Sequence, residues 1–391
     1  MGGGSSGNSV NINTASQLSS NSTIYTSSSL NDSTLLLGGE NGISISQLNS
    51  NKNNTSLQKA PMFFNKPIFS NTTTQSNSSI NKVSPLDTNS TNPKIYSICN
   101  INNTIYIGGT FSHVNNVEKN NIVRLNSNGN IDNDFNASIN GSVYKITNTE
   151  NNIYIGGSFG SYDENIIHSI AKLNINGILD KSFNPLEEFI LARVNDMAVL
   201  PNNKILLAGT FLHNSSNCDE NSSVKDVIQD TSTVLIVNEN GTIDENFTKK
   251  FSDLKHEVFT VDIYNDSIYI GGSFEFTVDN KIYNNLVAYS TNGEFLDSFH
   301  IGQLHGTIFD VKATSNKVIY AGDFIMDDDL QTRSFYIVDL FGKTIEVNNF
   351  TVDSDIYSIE TYEGNIVLTG EGNFKISDKQ YTNSISLNLE N

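Results

Sequence analysis

Four aspartates are the first candidates for chemistry. Asp132, Asp180, Asp244 and Asp297 recur at the start of what reads as the fourth strand of a repeated unit. A ring of such carboxylates could bind Ca²⁺ or a sugar. A side-chain hydrogen bond that fixes a turn would recur in the same way, because every copy needs its turn. Repetition in every copy favours the structural role, and Asp297 stands one residue out of step. Asp327-Asp328-Asp329 lacks the glycine and the terminal glutamate of an EF-hand loop, and reads as a solvated loop. His113, His168, His213, His256, His300 and His305 have no zinc-ligand spacing. Cys99 falls in an expected strand and Cys218 in a polar insertion, so two free thiols are expected rather than a disulfide. Asn102, Asn136, Asn246, Asn265 and Asn349 head Asn-x-Ser/Thr sequons and would carry glycans in a secretory compartment. In a chain this rich in Asn, Ser and Thr, such sequons also arise by chance. No nucleophile elbow, phosphate-binding loop or metal-hydrolase motif is present, so no catalytic residue, metal or cofactor is assigned.

The elements that would carry these residues repeat. From Gly141 to Asn184 the chain offers four apolar runs. Val143 to Thr147 alternates apolar and polar residues, and Ile153 to Ile155 is β-branched and aromatic. Gly156-Gly157 follows, with Phe159 two residues on, then a run from Ser169 to Asn174. Asn176-Gly177 suits a type I′ hairpin turn, and Ile178 to Phe183 reads as the fourth strand. The same pattern returns at Gly108-Gly109 with Phe111, at Gly209 with Phe211, and at Gly271-Gly272 with Phe274. Gly39, Gly322 and Gly370 mark three further copies. Bare glycine pairs let a neighbouring backbone or ring approach closely. They precede loops rather than helices, so they are not nucleotide sites.

Four strands in about 50 residues is the signature of a propeller blade. One blade cannot bury both of its apolar faces, whereas blades stacked in a ring can; a straight solenoid would need end caps. The expected fold is all-β: a β-propeller of four-stranded antiparallel blades, seven-bladed, closed by the N-terminal segment. Residues 1–20 are a flexible Gly/Ser/Asn-rich segment, of which residues near 8–14 would complete the last blade. The propeller takes 21–391, with blades near 21–69, 93–139, 140–190, 191–253, 254–302, 303–352 and 353–391. Met62 to Phe69 is an edge strand interrupted by Pro67, and 70–92 is a polar insertion expected to be disordered. Asn214 to Asp230 lengthens the fourth unit.

Two stretches carry a family resemblance: Ile105 to Phe111 with Arg124 to Phe135, and Ile153 to Phe159 with Lys172 to Asn184. They resemble the delta-60 repeat family of β-propellers, over about residues 93–350. More loosely, Leu35-Leu36-Leu37-Gly38-Gly39 and the run Asn102 to Phe111 are similar to the ectodomain of fungal bud-site-selection proteins, cortical markers of cell polarity. That resemblance implies a cell-surface or plasma-membrane location and a non-catalytic platform.

Charge narrows the partners. Lys+Arg 23 against Asp+Glu 42 gives a formal net charge of −19, unsuited to a nucleic-acid backbone or anionic lipid. No apolar run approaches a membrane span of ~20 residues, and the N-terminus lacks signal-peptide regions. The chain reads as intracellular or as a piece of a longer protein. Three functions compete: a non-catalytic binding module for a protein or glycan, monomeric as a ring; a propeller hydrolase or lyase acting on carbohydrate; and an extracellular adhesion repeat. The first is preferred, because variable loops on a rigid ring suit recognition.

Overall fold

The computed structural model describes residues 9–10, 12–17, 23–31, 34–40, 42–47, 69–70, 93–213, 231–326, 329–348, 350–353, 355–362 and 364–389. Among them lie eight sheets, seven of which share one plan. Each of the seven is built from antiparallel strands, with one short parallel pairing added at the edge of the sixth. Their first strands are Ile24–Asn31, Lys94–Ile101, Ile139–Asn148, Phe189–Val199, Glu257–Tyr264, Leu304–Ala313 and Ile356–Tyr362. Each first strand packs against the first strand of the next sheet, and Ile356–Tyr362 packs against Ile24–Asn31. The cores lie between neighbouring sheets. Tyr106 and Ile122 of the second sheet, for example, cluster with Val143, Ile153 and Ile155 of the third. The chain is thus an all-β protein with its first strands gathered around a central channel.

The expected fourth strand is much reduced. In the second to fifth sheets it is a single bridge: Leu125 to Ile131, Leu173 to Leu179, Val237 to Ile243 and Tyr289 to Phe295. The cause is local in the copies with an in-step aspartate. One residue beyond the bridge, Asp132 Oδ1 accepts from Asp134 N at 3.0 Å, and Asp180 Oδ1 accepts from Ser182 N at 3.1 Å. Those bonds turn the chain out of the ladder. At Asp244 the same bond, from Phe247 N, caps a short helix, Glu245–Thr248.

The Asn-Gly turns are also of a different type from the one expected. Gly129, Gly177, Gly241 and Gly293 have φ of 80–87°, while the asparagines before them do not enter the positive region. The loop is a type I turn followed by a left-handed glycine. Asn126 and Asn174 set it in two copies: Asn174 Oδ1 accepts from both Asn176 N and Ile178 N at 3.0 Å. Once the asparagine side chain holds the turn, only the glycine needs the unusual φ.

The N-terminal segment is divided between two sheets. Ser9–Val10 pairs in parallel with Glu346–Val347 of the sixth sheet. Ile12–Gln17 pairs antiparallel with the last strand, Lys379–Leu389, from Ile12 opposite Leu389 to Gln17 opposite Ile385. Phe69–Ser70 pairs with His113–Val114 beside the second sheet rather than with the first. Residues 71–92, most of Met62 to Phe69, Asn214 to Asp230 with Cys218, Asp327, Asp328 and Asn349 lie outside the described residues.

Candidate recognition face

Each first strand carries one extra residue opposite the glycine pair or, in three copies, opposite Ala208-Gly209, Ala321-Gly322 and Thr369-Gly370. The register slips between Ile24 and Thr26, Ile95 and Ser97, Val143 and Lys145, and Val194 and Asp196. It slips again between Val258 and Thr260, Ile308 and Asp310, and Ile356 and Ser358. Sterics explain the pairing of bulge and glycine. A Cβ on Gly157 would lie 2.0 Å from the Ser142 carbonyl oxygen, and one on Gly156 2.7 Å from Val194 Cγ1 of the next sheet. The second glycine therefore makes room for its own bulged strand, and the first for the neighbouring sheet. Gly109, Gly209 and Gly272 face the carbonyls of Lys94, Arg193 and Glu257 in the same way. Gly108 and Gly271 face Val143 and Ile308 of the following sheets. Phe111, Phe159, Phe211 and Phe274 are buried in the cores beyond.

A bulge re-aims the unpaired side chain. The seven residues at these bulges are Tyr25, Tyr96, Tyr144, Asn195, Phe259, Phe309 and Tyr357. Six are aromatic, and their rings meet from sheet to sheet. Centroids lie 6.1 Å apart for Phe259–Phe309, 5.8 Å for Phe309–Tyr357 and 5.6 Å for Tyr357–Tyr25. They lie 5.4 Å apart for Tyr25–Tyr96 and 5.5 Å for Tyr96–Tyr144. The seventh station is Asn195, whose amide donates to Val258 O at 2.8 Å. The result is a collar at the mouth of the channel, on the face that carries the glycine pairs.

Polar groups surround the collar. Tyr25 OH donates to Glu40 Oε1 and Tyr357 OH to Glu371 Oε2, each at 3.1 Å. Burial, then repulsion from Asp323 and Glu371, pushes the Asp355 carboxyl up to about 6. Arg193 lies over the Tyr144 ring at 5.5 Å, and Lys94 over Tyr25 at 5.6 Å. One residue further down, side chains latch several sheets, each to the next. Ser97 Oγ accepts from Ile146 N, Asp196 Oδ2 from Val261 N and Asp310 Oδ2 from Ile359 N, at 2.9, 3.0 and 2.6 Å. Lys145 Nζ meets Asp196 Oδ1 at 2.7 Å and keeps 37% side-chain exposure. Thr260 Oγ1 lies 3.1 Å from Asp310 Oδ1 and 3.3 Å from Asp196 Oδ2. Burial, together with repulsion from Asp196, pushes Asp310 up to about 7 against the opposing Ile359 hydrogen bond and Lys145 charge.

The aspartates singled out by the sequence sit on the outside of the ring. Arg124 Nε pairs with Asp132 at 2.9 Å, Lys172 Nζ with Asp180 at 3.4 Å, and Lys204 with Asp244. The same cations cover Phe135, Phe183 and Phe247. Arg124 and Lys172 also donate to Asn176 O and Glu239 O, in the turns of the following sheets. These two assemblies therefore clamp one sheet beneath the next. Asn102, Asn136, Asn246 and Asn265 are exposed. The Cys99 thiol is free and half-buried, pushed up to about 11 by burial. His256 and His305 line, with Glu257 and Glu275, a cleft of about 640 Å³ between the fourth, fifth and sixth sheets. His168 lines a smaller one beside Ile190 and Leu191. Among the described residues no three His, Cys, Asp or Glu side chains converge on a metal position.

The collar escaped the sequence reading because bulges interrupt alternation. A signal does exist: an aromatic residue stands 13 or 14 residues before the second glycine in six of seven copies.

Comparison with known proteins bears on the fold. A family model described as a domain of unknown function (DUF5122) β-propeller matches residues 102–135. No curated protein matches the chain. The WD40 β-propeller domain of Doa1 is similar at 11% identity and a TM-score of 0.51, over 98% of this chain and 97% of that one. YCF48 bound to D1 peptide aligns at 11% identity and a TM-score of 0.48, over 97% of both chains. The computationally designed Ika8 protein aligns at 11% and 0.46, over 96% of this chain and 90% of that one. The protein is a β-propeller.

Proposed function

We propose that this chain is a seven-bladed, non-catalytic recognition module that holds a protein or glycan partner on the face carrying its glycine pairs. The closed succession of first strands supports seven blades. The aromatic collar carries the functional reading. Asn195 shows that the bulge position accepts a polar side chain, so the fold does not by itself demand six aromatic rings there. Tyr25, Phe309 and Tyr357 are half-buried and Tyr96, Tyr144 and Phe259 buried, so the half-buried arc supplies the accessible aromatic surface, at little conformational cost. Three of the four aspartates that first suggested chemistry, Asp132, Asp180 and Asp244, are engaged in turn caps and ion pairs, which supports a binding role over a hydrolytic one. A place at the cell surface or cortex, like that of the fungal polarity markers, rests on the repeat resemblance alone.

The test is capture by the immobilised full chain from an extract of its source cell. We expect a saturably retained partner, competed by free chain, and retention at least tenfold weaker for Tyr357→Ala at unchanged circular dichroism. Turnover of a carbohydrate panel with no partner retained would overturn the reading. It would point instead to the cleft holding Glu257, Glu275, His256 and His305.

A further inference from the structure

The collar is electrically uneven. Asp323 and Asp355 stand above Phe309 and Tyr357 on the sixth and seventh sheets, with Glu371 beside them. The Glu371 amide donates to the Asp355 carbonyl at 3.1 Å, which brings the two residues side by side on adjacent strands. Among the described residues, none of Asp323, Asp355 and Glu371 enters a salt bridge. Their charges repel one another, and that repulsion, added to burial, is why Asp355 resists ionisation. A cation placed among them would relieve it. The three carboxylates do not converge on a metal position, so a compact ion does not suit the arrangement. An extended cation does.

The chain already stacks its own cations on collar tyrosines, Arg193 on Tyr144 and Lys94 on Tyr25. A regular ring of seven stations with neighbours at these spacings puts the ring centroids about 6.5 Å from the axis. Such a mouth admits a side chain and excludes a folded domain. A net charge of −19 draws basic segments toward the molecule.

We infer that Phe309, Tyr357 and Tyr25, with Asp323, Asp355 and Glu371, bind an arginine side chain presented by a basic peptide segment of a protein partner. This deepens the recognition reading and rests on it. Arginine suits the arc better than lysine, because a planar guanidinium stacks on aromatic faces and donates in pairs to carboxylates.

The experiment titrates the full chain with a fluorescent Gly/Ser peptide carrying three consecutive arginines, and with the same peptide carrying citrulline. Citrulline keeps the shape and removes the charge. The arginine peptide is expected to bind at least tenfold tighter. Asp355→Asn/Glu371→Gln should abolish that difference. Glu150→Gln/Glu164→Gln removes as much charge from exposed positions elsewhere and should preserve it. Tyr357→Phe, which keeps the ring, should retain most of the binding. Equal binding of the two peptides, equal losses in the two double variants, or no binding by either peptide would each overturn the inference. If the Asp355→Asn/Glu371→Gln chain still retains its partner from extract at full strength, the arginine site falls while the recognition module stands.

Discussion

At the scale of single residues, the glycine pair contains two different constraints, and they should separate on mutation. Gly156 faces a side chain, Val194 Cγ1, which can turn; Gly157 faces a backbone oxygen, Ser142 O, which cannot move without breaking the bulge. Natural variation inside the chain agrees: the first position is alanine at Ala208 and Ala321, the second is glycine in all seven copies. Gly156→Ala is therefore expected to cost about 1 kcal/mol and Gly157→Ala about 3 kcal/mol or more, as overpacking against rigid neighbours does. Urea denaturation of the two variants would decide it; equal losses would refute the assignment of the clash. The same pair explains why the fold was legible. A glycine required by sterics leaves a mark in every copy, whatever the surrounding side chains. The aspartates were legible as turn formers for a similar reason. The collar was not, because a bulge adds a residue without changing composition, and alternation read through Tyr144 hides it.

At the scale of strands, acceptors one residue beyond four of the seven bulges join one sheet to the next. Ser97, Asp196, Thr260 and Asp310 each take an amide of the next sheet, from Ile146, Val261, Val311 and Ile359. Two of the four are carboxylates, Asp196 and Asp310, that flank the same Thr260 hydroxyl, and that proximity has a cost as pH rises. The Asp310 carboxyl is held at about 7, above the ordinary carboxylate value, so the folded state favours its neutral form. Stability from this group is complete below the unfolded value and is lost as pH rises through about 7. Asp355, held at about 6, acts in the same direction. Asp180 and Asp244 on the outer turns are lowered, Asp180 chiefly by the Ser182 hydroxyl and Asp244 by Lys204. Their contribution has the opposite sign, present above the ordinary carboxylate value and lost in acid. The melting temperature should therefore peak at about pH 4 and fall between about pH 4 and 7. Asp310→Asn keeps an acceptor for Ile359 and should flatten that fall by about 1–2 kcal/mol, water in the channel screening the rest. A pH profile unchanged by the substitution would remove Asp310 from this role.

At the scale of the whole molecule, seven similar sheets leave one problem, the meeting of the chain's ends. The sheet units were legible from the repeat because each copy restates the same strand pattern. Their junction was legible only in outline, since two short pairings, not one long one, make it. Ser9–Val10 joins the sixth sheet and Ile12–Gln17 the seventh, with Asn348 N donating to Val10 O at 3.1 Å between them. Val10, Ile12 and Ala15 pack against the core that the last two sheets share. A segment of two to six residues holds no stable structure alone, so its stability is borrowed from both sheets and returned as a link between them. Without it the last strand, Lys379–Leu389, would become an open edge able to recruit another chain. Removing residues 1–17 should cost about 3 kcal/mol of apolar burial and lower the melting temperature by about 4 °C. Sedimentation should then reveal concentration-dependent association. A synthetic peptide spanning residues 8–18, added in trans, should restore both the melting temperature and the monomer by re-pairing with that edge. If the truncated chain melts as the full chain does and stays monomeric, the ends do not close the ring, and the seventh sheet is complete with three strands.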